Sequence, residues 1–465
     1  MKILSAVKSF LQKPIGKSGI YDALGRVISA PLLRKKAVLW TLILFCAAWF
    51  LLQAYPYLHM WDLDSISYYA GAHGLRQHIN IYDDNEFQSM ADHLVGKGVI
   101  VNPYIYPPLL AQLCLPLTRL SPSVFFLLVF ILNVALTFFN LYLLARILEL
   151  DRRPTILPLL FPFALLLLNA PILTTIDYGQ INILVFTATL LFMAFQKKGR
   201  PFVAGFFLSL AVFIKIYPIL FVLPFIFFKR WKSLAAFIAN SAAMLALSIG
   251  VSGPAPWLDF AKSTLSLFFK KPDSPFTRGF QSSFTNVSLK GFLTQGFAQL
   301  HLPEPLVVPL FLLAAGLLVL WIFVSPRRRE VAADPALEGS LLFILTLVVA
   351  PITWPHHYVI MMFPAAYLFR RIIDEKKYAA LLFLAVFGGQ VFYQQPWGAF
   401  PFNQLWLPAA LGFLGMLMRF GRAPSPWGAP ENEGWGTTAC EGRTGPVVTD
   451  ASRIADSPRA REKRP

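Results

Sequence analysis

The sequence predicts an all-α protein that crosses a membrane many times, and two observations carry that prediction. Hydrophobic residues make up 56% of the 465 residues and charged residues only 14%, against roughly 45–50% and about 25% in soluble domains. A soluble fold of this size cannot remove so much apolar surface from water. Short runs of Lys and Arg separate long apolar stretches, which is typical of the cytoplasmic loops of membrane proteins.

The net charge of +17 does not indicate a nucleic-acid partner. The positive residues are divided among short runs between apolar stretches, whereas nucleic-acid binding requires one continuous basic face. The positive-inside rule instead assigns these runs to the cytoplasm. They are residues 34–36, 152–153, 197–200, 229–232, 327–329 and 370–371.

We expect one membrane domain, residues 37–420, with a cytoplasmic segment at either end. Residues 1–36 are basic and mildly amphipathic, which suits the anionic inner leaflet. Residues 421–465 contain few large apolar side chains and are predicted to be a disordered cytoplasmic tail. Two long polar stretches, 57–105 and 252–303, are predicted to be outer loops, the first with interfacial helices.

The apolar stretches predict about 12 crossings, because a spanning helix needs about 20 apolar residues. The stretch 202–228 contains Lys215 followed by Ile-Tyr-Pro and is predicted to be two short helices broken at that point. Residues 106–120 are short and contain prolines, which favours a re-entrant hairpin. The other predicted crossings are 37–56, 123–148, 155–173, 179–195, 233–251, 306–324, 339–351, 358–369, 378–393 and 405–418.

This order places four polar clusters on one non-cytoplasmic face, which predicts a shared site there. They are the loop with Asp62 and Asp64, residues 177–180, the Lys215 break with residues 281–286, and the pair His356 and His357.

Asp62 and Asp64 form Asp-Leu-Asp just after the first crossing. A carboxylate among apolar helix ends is suited to general-base chemistry. Asp64 is also a candidate helix cap, because residues 65–75 read as an interfacial helix and Asp is a favoured N-cap. Asp-Leu-Asp resembles the metal-binding motif of nucleotide-sugar enzymes, but nucleotide sugars are absent outside the cell, and we expect no metal and no cofactor.

Lys215 is a candidate for binding an anion. A Lys within a membrane segment costs about 3 kcal/mol unless it snorkels or has a partner. As a point-charge donor at a helix break it suits a phosphate. Snorkelling to the outer headgroups is the alternative.

Three further groups are less specific. His356 and His357 are candidates for hydrogen-bond donors to a phosphate or for proton carriers. They make a poor metal site, because adjacent residues on a helix point about 100° apart. Gln180 and Asn182 suit either sugar hydroxyls or interhelical hydrogen bonds. The three cysteines are scattered and have no metal-site or disulfide spacing.

Taken in order, these segments resemble glycosyltransferase family 87, the polyprenol-phosphate-mannose-dependent transferases of the GT-C fold. The resemblance covers most of residues 60–370. The matching segments are Asp64 with Tyr68-Tyr69 and Tyr82-Asp83; residues 104–109; residues 179–182; Gly205 with residues 215–218; Gln281-Ser282 with residues 286–289; and Trp354 with residues 356–358.

The resemblance implies a GT-C-type bundle in a bacterial plasma or inner membrane, with its active site on the outer face. It implies that a hexose, most simply mannose, moves with inversion from a polyprenyl-phosphate donor to a lipid or glycan acceptor, with membrane lipids as the surroundings. Asp64 takes the role of base, with Asp62 as the alternative. Donor phosphate or sugar binding would fall to Lys215, His356, His357, Arg278, Gln180, Asn182, Tyr68 and Tyr69. The alternatives are another lipid-phosphate sugar, or a transporter or flippase of lipid-linked sugars.

Overall fold

The computed structural model describes residues 36–59, 63–96, 101–150, 169–264, 285–375 and 405–420. All regular secondary structure within these ranges is helical, which confirms the all-α prediction. The α-helices are α1 (Lys36–Ala54), α2 (Leu63–Arg76), α3 (Asp84–Val95), α4 (Pro108–Cys114), α5 (Pro122–Ile147), α6 (Asn169–Asp177), α7 (Asn182–Lys197), α8 (Pro201–Ile214), α9 (Leu223–Phe227), α10 (Trp231–Ser252), α11 (Ala255–Thr264), α12 (Leu289–Gln299), α13 (Val307–Val324), α14 (Arg328–Ala333), α15 (Pro335–Val349), α16 (Met362–Asp374) and α17 (Trp406–Phe420).

Three helices in the described part of the chain are long and apolar enough to span a membrane: α5, α10 and the segment Glu304–Val324 that contains α13. A fourth span results if α6 and α7, between which the chain bends by 119°, count as one crossing. The GT-C bundle of about 12 crossings stays a prediction. Residues 1–35 of the predicted N-terminal segment, the predicted tail 421–465, the crossing 378–393 and most of 155–173 lie outside the described residues.

The apolar helices leave large side chains uncovered, as lipid-facing surfaces do. Leu52 on α1 and Leu247 on α10 are 69% and 71% exposed. In water such surface would favour association, whereas in a bilayer it contacts lipid tails at no cost. The chain is an integral membrane protein.

The centre of the larger core is α15, whose residues from Ala336 to Val348 are all buried. A helix that is apolar on every side is expected to lie inside a bundle, and α13, α16 and α17 pack around this one. Its polar Glu338 pairs with Arg230 through Oε1 at 2.8 Å, whereas Oε2 is buried and has no hydrogen-bond partner among the described residues.

A second core lies under the first predicted outer loop. It contains residues of α2, α3 and α4 with Tyr104 and Tyr106. Residue Gly71 of α2 touches the Tyr104 ring so closely that a Cβ there would lie 2.7 Å from a ring carbon. The interfacial helix predicted at 65–75 is α2. The predicted hairpin at 106–120 contains α4 and a 3₁₀ turn, Leu115–Arg119.

The helix break predicted at Lys215 is confirmed. α8 ends at Ile214, Lys215 has extended backbone angles (φ −152°, ψ 126°), and a 3₁₀ turn, Tyr217–Val222, precedes α9. Pro218 lies near the start of that turn. It has no N–H to donate to the carbonyl of Ile214, four residues earlier, and its ring would clash with that carbonyl, so one continuous α-helix through this point is disfavoured.

Candidate active site

Asp64 lies in the first turn of α2 and is 3% exposed. Both of its oxygens accept hydrogen bonds from side-chain amides. Asn102 Nδ2 donates to Oδ1 at 2.9 Å, and Gln180 Nε2 donates to Oδ2. Neutral donors on both oxygens stabilise a buried carboxylate and hold it in one orientation.

Gln180 extends this contact to two tyrosines. Its Oε1 accepts from the Tyr68 hydroxyl at 3.2 Å, and its Nε2 also lies 3.4 Å from the Tyr106 hydroxyl oxygen. The two hydroxyl oxygens are 3.3 Å apart. Burial, with Tyr106 and Asp64 nearby, raises the pKa of Tyr68 well above its usual value. Tyr68 therefore stays protonated and donates to Gln180.

The turn between α6 and α7 positions Gln180. Gly179 has φ +57°, and a Cβ at this residue would lie 2.6 Å from Ser65 Cβ and Oγ. Only glycine adopts that conformation readily and permits that approach. The Gln180 N–H donates to Thr175 O at 2.8 Å. The amide is thereby held against α2, one residue from Asp64.

The site has two halves: the first surrounds Asp64, and the second surrounds Lys215. Lys215 Nζ donates to Asn182 Oδ1 at 2.7 Å and lies 3.0 Å from His357 Nε2. Asn182 is two residues after Gln180, so one short segment contacts both Asp64 and Lys215. Tyr106 also joins the halves, because Lys215 Nζ lies 5.4 Å from the centre of its ring, a cation–π distance.

The hydrogen bonds of His357 assign its ring protons. The Trp354 backbone N–H donates to Nδ1 at 3.2 Å, and burial beside Lys215 and His356 holds the pKa of His357 well below its ordinary value. The neutral ring then carries its proton on Nε2. Nε2–H and the Lys215 ammonium are both donors, and such a pair is stabilised by an anion that accepts from both.

Further polar atoms near Lys215 are buried without a hydrogen-bond partner among the described residues. They are Asn182 Nδ2, the Tyr217 hydroxyl and both ring nitrogens of His356. His356 is 2% exposed and contacts the rings of Tyr178, Trp354 and His357. Because unsatisfied buried polar atoms are costly, several of them in one place indicate a site for a polar ligand.

The loop with the two histidines is fixed by Asn286. Its Oδ1 accepts from the Thr353 N–H at 3.0 Å, its Nδ2 donates to Pro351 O at 3.2 Å, and the Val287 N–H donates to Thr353 O at 2.7 Å. On the opposite side, Thr175 Oγ1 donates to His356 O at 3.0 Å. These bonds hold the histidines at one end of α15.

The structure thus brings together six of the predicted site residues: Asp64, Tyr68, Gln180, Asn182, Lys215 and His357. His356 lies beside them. Tyr69 does not join them, because its hydroxyl donates to Leu120 O at 2.8 Å and its ring packs on His73 and Phe125. Asp62 and Arg278 lie outside the described residues.

Sequence reasoning missed the amide of Asn102 and the positions of Tyr106 and Tyr217. Tyr106 was part of a matching segment without an assigned role, and nothing in the polar run around Asn102 singles it out. No cluster of three or more His, Cys, Asp or Glu residues that suits a metal ion occurs in the described ranges. The arrangement offers a carboxylate acceptor for a proton at one side and donors for an anion at the other.

Comparison with known proteins identifies the family of this chain. The family model for glycosyltransferase family 87 matches residues 104–351. A polyprenol-phosphate-mannose-dependent alpha-(1-2)-phosphatidylinositol pentamannoside mannosyltransferase of Mycolicibacterium smegmatis is 27% identical over 299 residues, which cover 60% of this chain and 67% of the relative. A polyprenol-phosphate-mannose-dependent alpha-(1-2)-phosphatidylinositol mannoside mannosyltransferase of Mycobacterium tuberculosis is 26% identical over 322 residues, 63% of this chain and 70% of the relative. The family model covers more than half of the sequence, and the chain belongs to glycosyltransferase family 87.

Proposed function

We propose that this protein transfers mannose from a polyprenyl-phosphate donor to a hydroxyl of a lipid or glycan acceptor on the outer face of the membrane, with inversion at the anomeric carbon. The observation that carries the proposal is one buried hydrogen-bonded cluster with a carboxylate, Asp64, at one side and a cation, Lys215, at the other. The names of the two mycobacterial relatives support the donor and a mannosylated lipid acceptor.

Asp64 acts as the general base. The acceptor hydroxyl gives its proton to a carboxylate oxygen as its own oxygen forms a bond to the anomeric carbon of the sugar. Asn102 and Gln180 hold the carboxylate in one orientation, and Tyr68 fixes the Gln180 amide. A carboxylate held in this way pays little entropy when the hydroxyl arrives. Asp62, the alternative base, lies outside the described residues.

Lys215 and His357 stabilise the leaving group. As the bond from the anomeric carbon to the phosphate oxygen breaks, its electron pair stays on that oxygen, and polyprenyl phosphate departs with an added negative charge. Two converging donors in a buried site stabilise the developing charge. Asn182 Nδ2, the Tyr217 hydroxyl and His356 offer further polar contacts to phosphate or sugar, and Arg278 is a further candidate. No metal ion is required when the charge of Lys215 and the hydrogen-bond donor of His357 stabilise the phosphate.

Inversion follows when the base and the leaving-group donors lie on opposite sides of the sugar. Asp64 contacts Gln180 and Lys215 contacts Asn182, so the two groups are held by different residues of the segment 180–182. A hydroxyl activated at Asp64 then attacks the face away from the phosphate. A donor with a β linkage to phosphate would give an α-mannoside.

The test uses purified protein in nanodiscs, supplied with polyprenyl-phosphate mannose and phosphatidylinositol mannosides. The wild type is expected to release polyprenyl phosphate and form one mannoside for each phosphate released. NMR of the product should show the anomeric configuration opposite to that of the mannose in the donor. Asp64→Asn is isosteric and lacks a basic carboxylate, so transfer should fall by roughly 10³-fold or more, the scale of a lost general base with its positioning.

Asn102→Ala is the matched comparison, since it removes one donor to Asp64 and leaves the base. A loss of roughly tenfold, the cost of about one hydrogen bond to a charged group, is expected. If Asp64→Asn retained the wild-type rate and Asp62→Asn did not, Asp62 would be the base. If wild-type protein moved the intact donor across a sealed vesicle membrane and transferred no sugar, the proposal would be replaced by transport.

A further inference from the structure

A cavity of about 720 Å³ lies between the end of α13 and the end of α17. It is large enough for a phosphodiester headgroup, and it has basic, polar and aromatic residues around it. The lining residues are Trp321, Ser325, Pro326, Arg327, Met418 and Arg419.

The polar groups of this cavity suit an anion. Arg327 follows α13 by three residues, and Arg419 lies in the last turn of α17. Neither guanidinium is paired with a carboxylate of the described residues. The Ser325 hydroxyl is buried and has no hydrogen-bond partner within the same ranges. Guanidinium groups bind phosphate oxygens through two parallel hydrogen bonds, and a hydroxyl adds a third donor.

An apolar stripe on α13 leads to the cavity. Leu313, Leu317, Leu320 and Val324 are each more than half exposed. Their spacing of three or four residues places them on one face of the helix. Trp321, which lines the cavity, is 44% exposed, and tryptophan is enriched at the depth of lipid headgroups. A lipid whose phosphate enters the cavity would lay an acyl chain along this stripe.

The cavity is remote from the candidate active site. Arg327 precedes α14, which is followed at once by α15, whereas Trp354, His356 and His357 follow the other end of α15. The 15 residues of α15 extend about 22 Å at 1.5 Å per residue. The two sites therefore lie at opposite ends of a buried helix, and a lipid in the cavity belongs to the leaflet opposite the candidate active site.

We propose that this cavity binds one anionic phospholipid, with the phosphate between Arg327 and Arg419 and an acyl chain on the α13 stripe. A free phosphate shares the headgroup chemistry, but it leaves the stripe unused. The continuity of basic cavity and apolar stripe favours the lipid. This site is separate from donor binding and does not depend on the proposed transferase mechanism.

Native mass spectrometry of the intact protein in detergent tests the proposal. Phosphatidylglycerol is titrated against the wild type, against Arg327→Gln with Arg419→Gln, and against Arg328→Gln with Arg329→Gln. The second pair removes the same two charges from exposed neighbours outside the cavity. The cavity pair is expected to weaken the tightest phosphatidylglycerol site about thirtyfold, since each basic residue contributes about 1 kcal/mol toward anionic lipid. The exposed pair should leave that site within about threefold of the wild type.

Phosphatidylcholine, which has the same phosphate and no net charge, is expected to bind the wild type more weakly than phosphatidylglycerol. Inorganic phosphate at millimolar concentration should not displace the bound lipid. Thermal unfolding without lipid checks that each variant folds, and if the double variant does not, Arg419→Gln alone, at an exposed position, should weaken binding about fivefold. Equal losses in the two pairs, equal binding of phosphatidylcholine, or displacement by inorganic phosphate would each overturn the proposal.

Discussion

Gln180→Glu tests most directly whether Asp64 is the base. The substitution keeps the shape of the side chain and replaces the Nε2 donor with an oxygen in contact with Asp64 Oδ2. Two carboxylates at hydrogen-bond distance cannot both stay ionised, and they share one proton. Near neutral pH the shared proton blocks the Asp64 carboxylate, which should accept a proton from the acceptor hydroxyl. The variant is therefore expected to be slow at neutral pH and to recover as the pH rises.

The magnitude follows from the contact that is lost. A hydrogen bond to a charged group contributes about 1.5–3 kcal/mol, and each 1.4 kcal/mol is a factor of ten in rate. We expect kcat/KM at neutral pH to fall by roughly 10- to 150-fold on this basis. The acidic limb of the pH profile, where kcat/KM rises with pH as the base ionises, should move to higher pH. The reason is that a neighbouring carboxylate disfavours the ionised form of Asp64.

The assay is the initial rate of polyprenyl phosphate release in nanodiscs as a function of pH. Gln180→Leu removes the donor without adding a carboxylate, so it should lower the rate with a smaller movement of the acidic limb. Gln196→Glu, in the last turn of α7 and bonded to Ser233 Oγ, adds the same charge away from Asp64 and should leave the profile unchanged. A Gln180→Glu enzyme that folds and keeps the wild-type rate and acidic limb would refute the assignment of Asp64.

Three further substitutions are expected to separate function from stability. Tyr68→Phe should lower the transfer rate about tenfold, because it frees the Gln180 amide. Tyr69→Phe, at the neighbouring residue, should lower the free energy of unfolding by about 1 kcal/mol and leave the transfer rate within twofold of the wild type. Equal effects of the two substitutions on the rate would contradict the site geometry. Lys215→Met should lower kcat by roughly 10²–10³-fold and Lys215→Arg by less, as measured in single turnovers; a normal rate in Lys215→Met would remove Lys215 from the phosphate site. Gly179→Ala should cost about 1–2 kcal/mol for its positive φ plus the clash with Ser65, as measured by thermal unfolding, and an unchanged melting temperature would contradict that turn.

The long apolar helices could be predicted from the sequence because hydropathy alone decides them. The predicted crossing 123–148 corresponds to α5, 233–251 to α10 and 306–324 to α13, each within two residues at either end. α15 begins four residues earlier than the predicted crossing 339–351. Its start is set by Asp334, whose Oδ1 accepts from the N–H groups of Ala336 and Leu337, with proline at the first helical position. That capping signal was present in the sequence, but hydropathy gives it no weight.

The candidate site was predictable where one residue conflicts with its surroundings. A lysine within an apolar stretch predicted the break at Lys215, because a buried cation needs both a partner and irregular backbone nearby. The roles of Tyr68 and Tyr69 could have been separated, since neighbouring helical residues point about 100° apart and only one of them can face Asp64. Asn102 was not predictable, because its contact with Asp64 joins residues 38 apart through the packing of the second core.

The segment 180–182 joins the two halves of the candidate site. Its first amide donates to the carboxylate and its second accepts from the ammonium, so the spacing between base and cation is fixed by two residues of one backbone. During the proposed transfer, a proton arrives at Asp64 while negative charge leaves toward Lys215. Both amides are already oriented by those partners before the sugar is bound, and stabilisation that is present in advance lowers the barrier more than stabilisation that must form during the reaction. An amide at only one of the two positions would fix either the base or the cation, but not the distance between them.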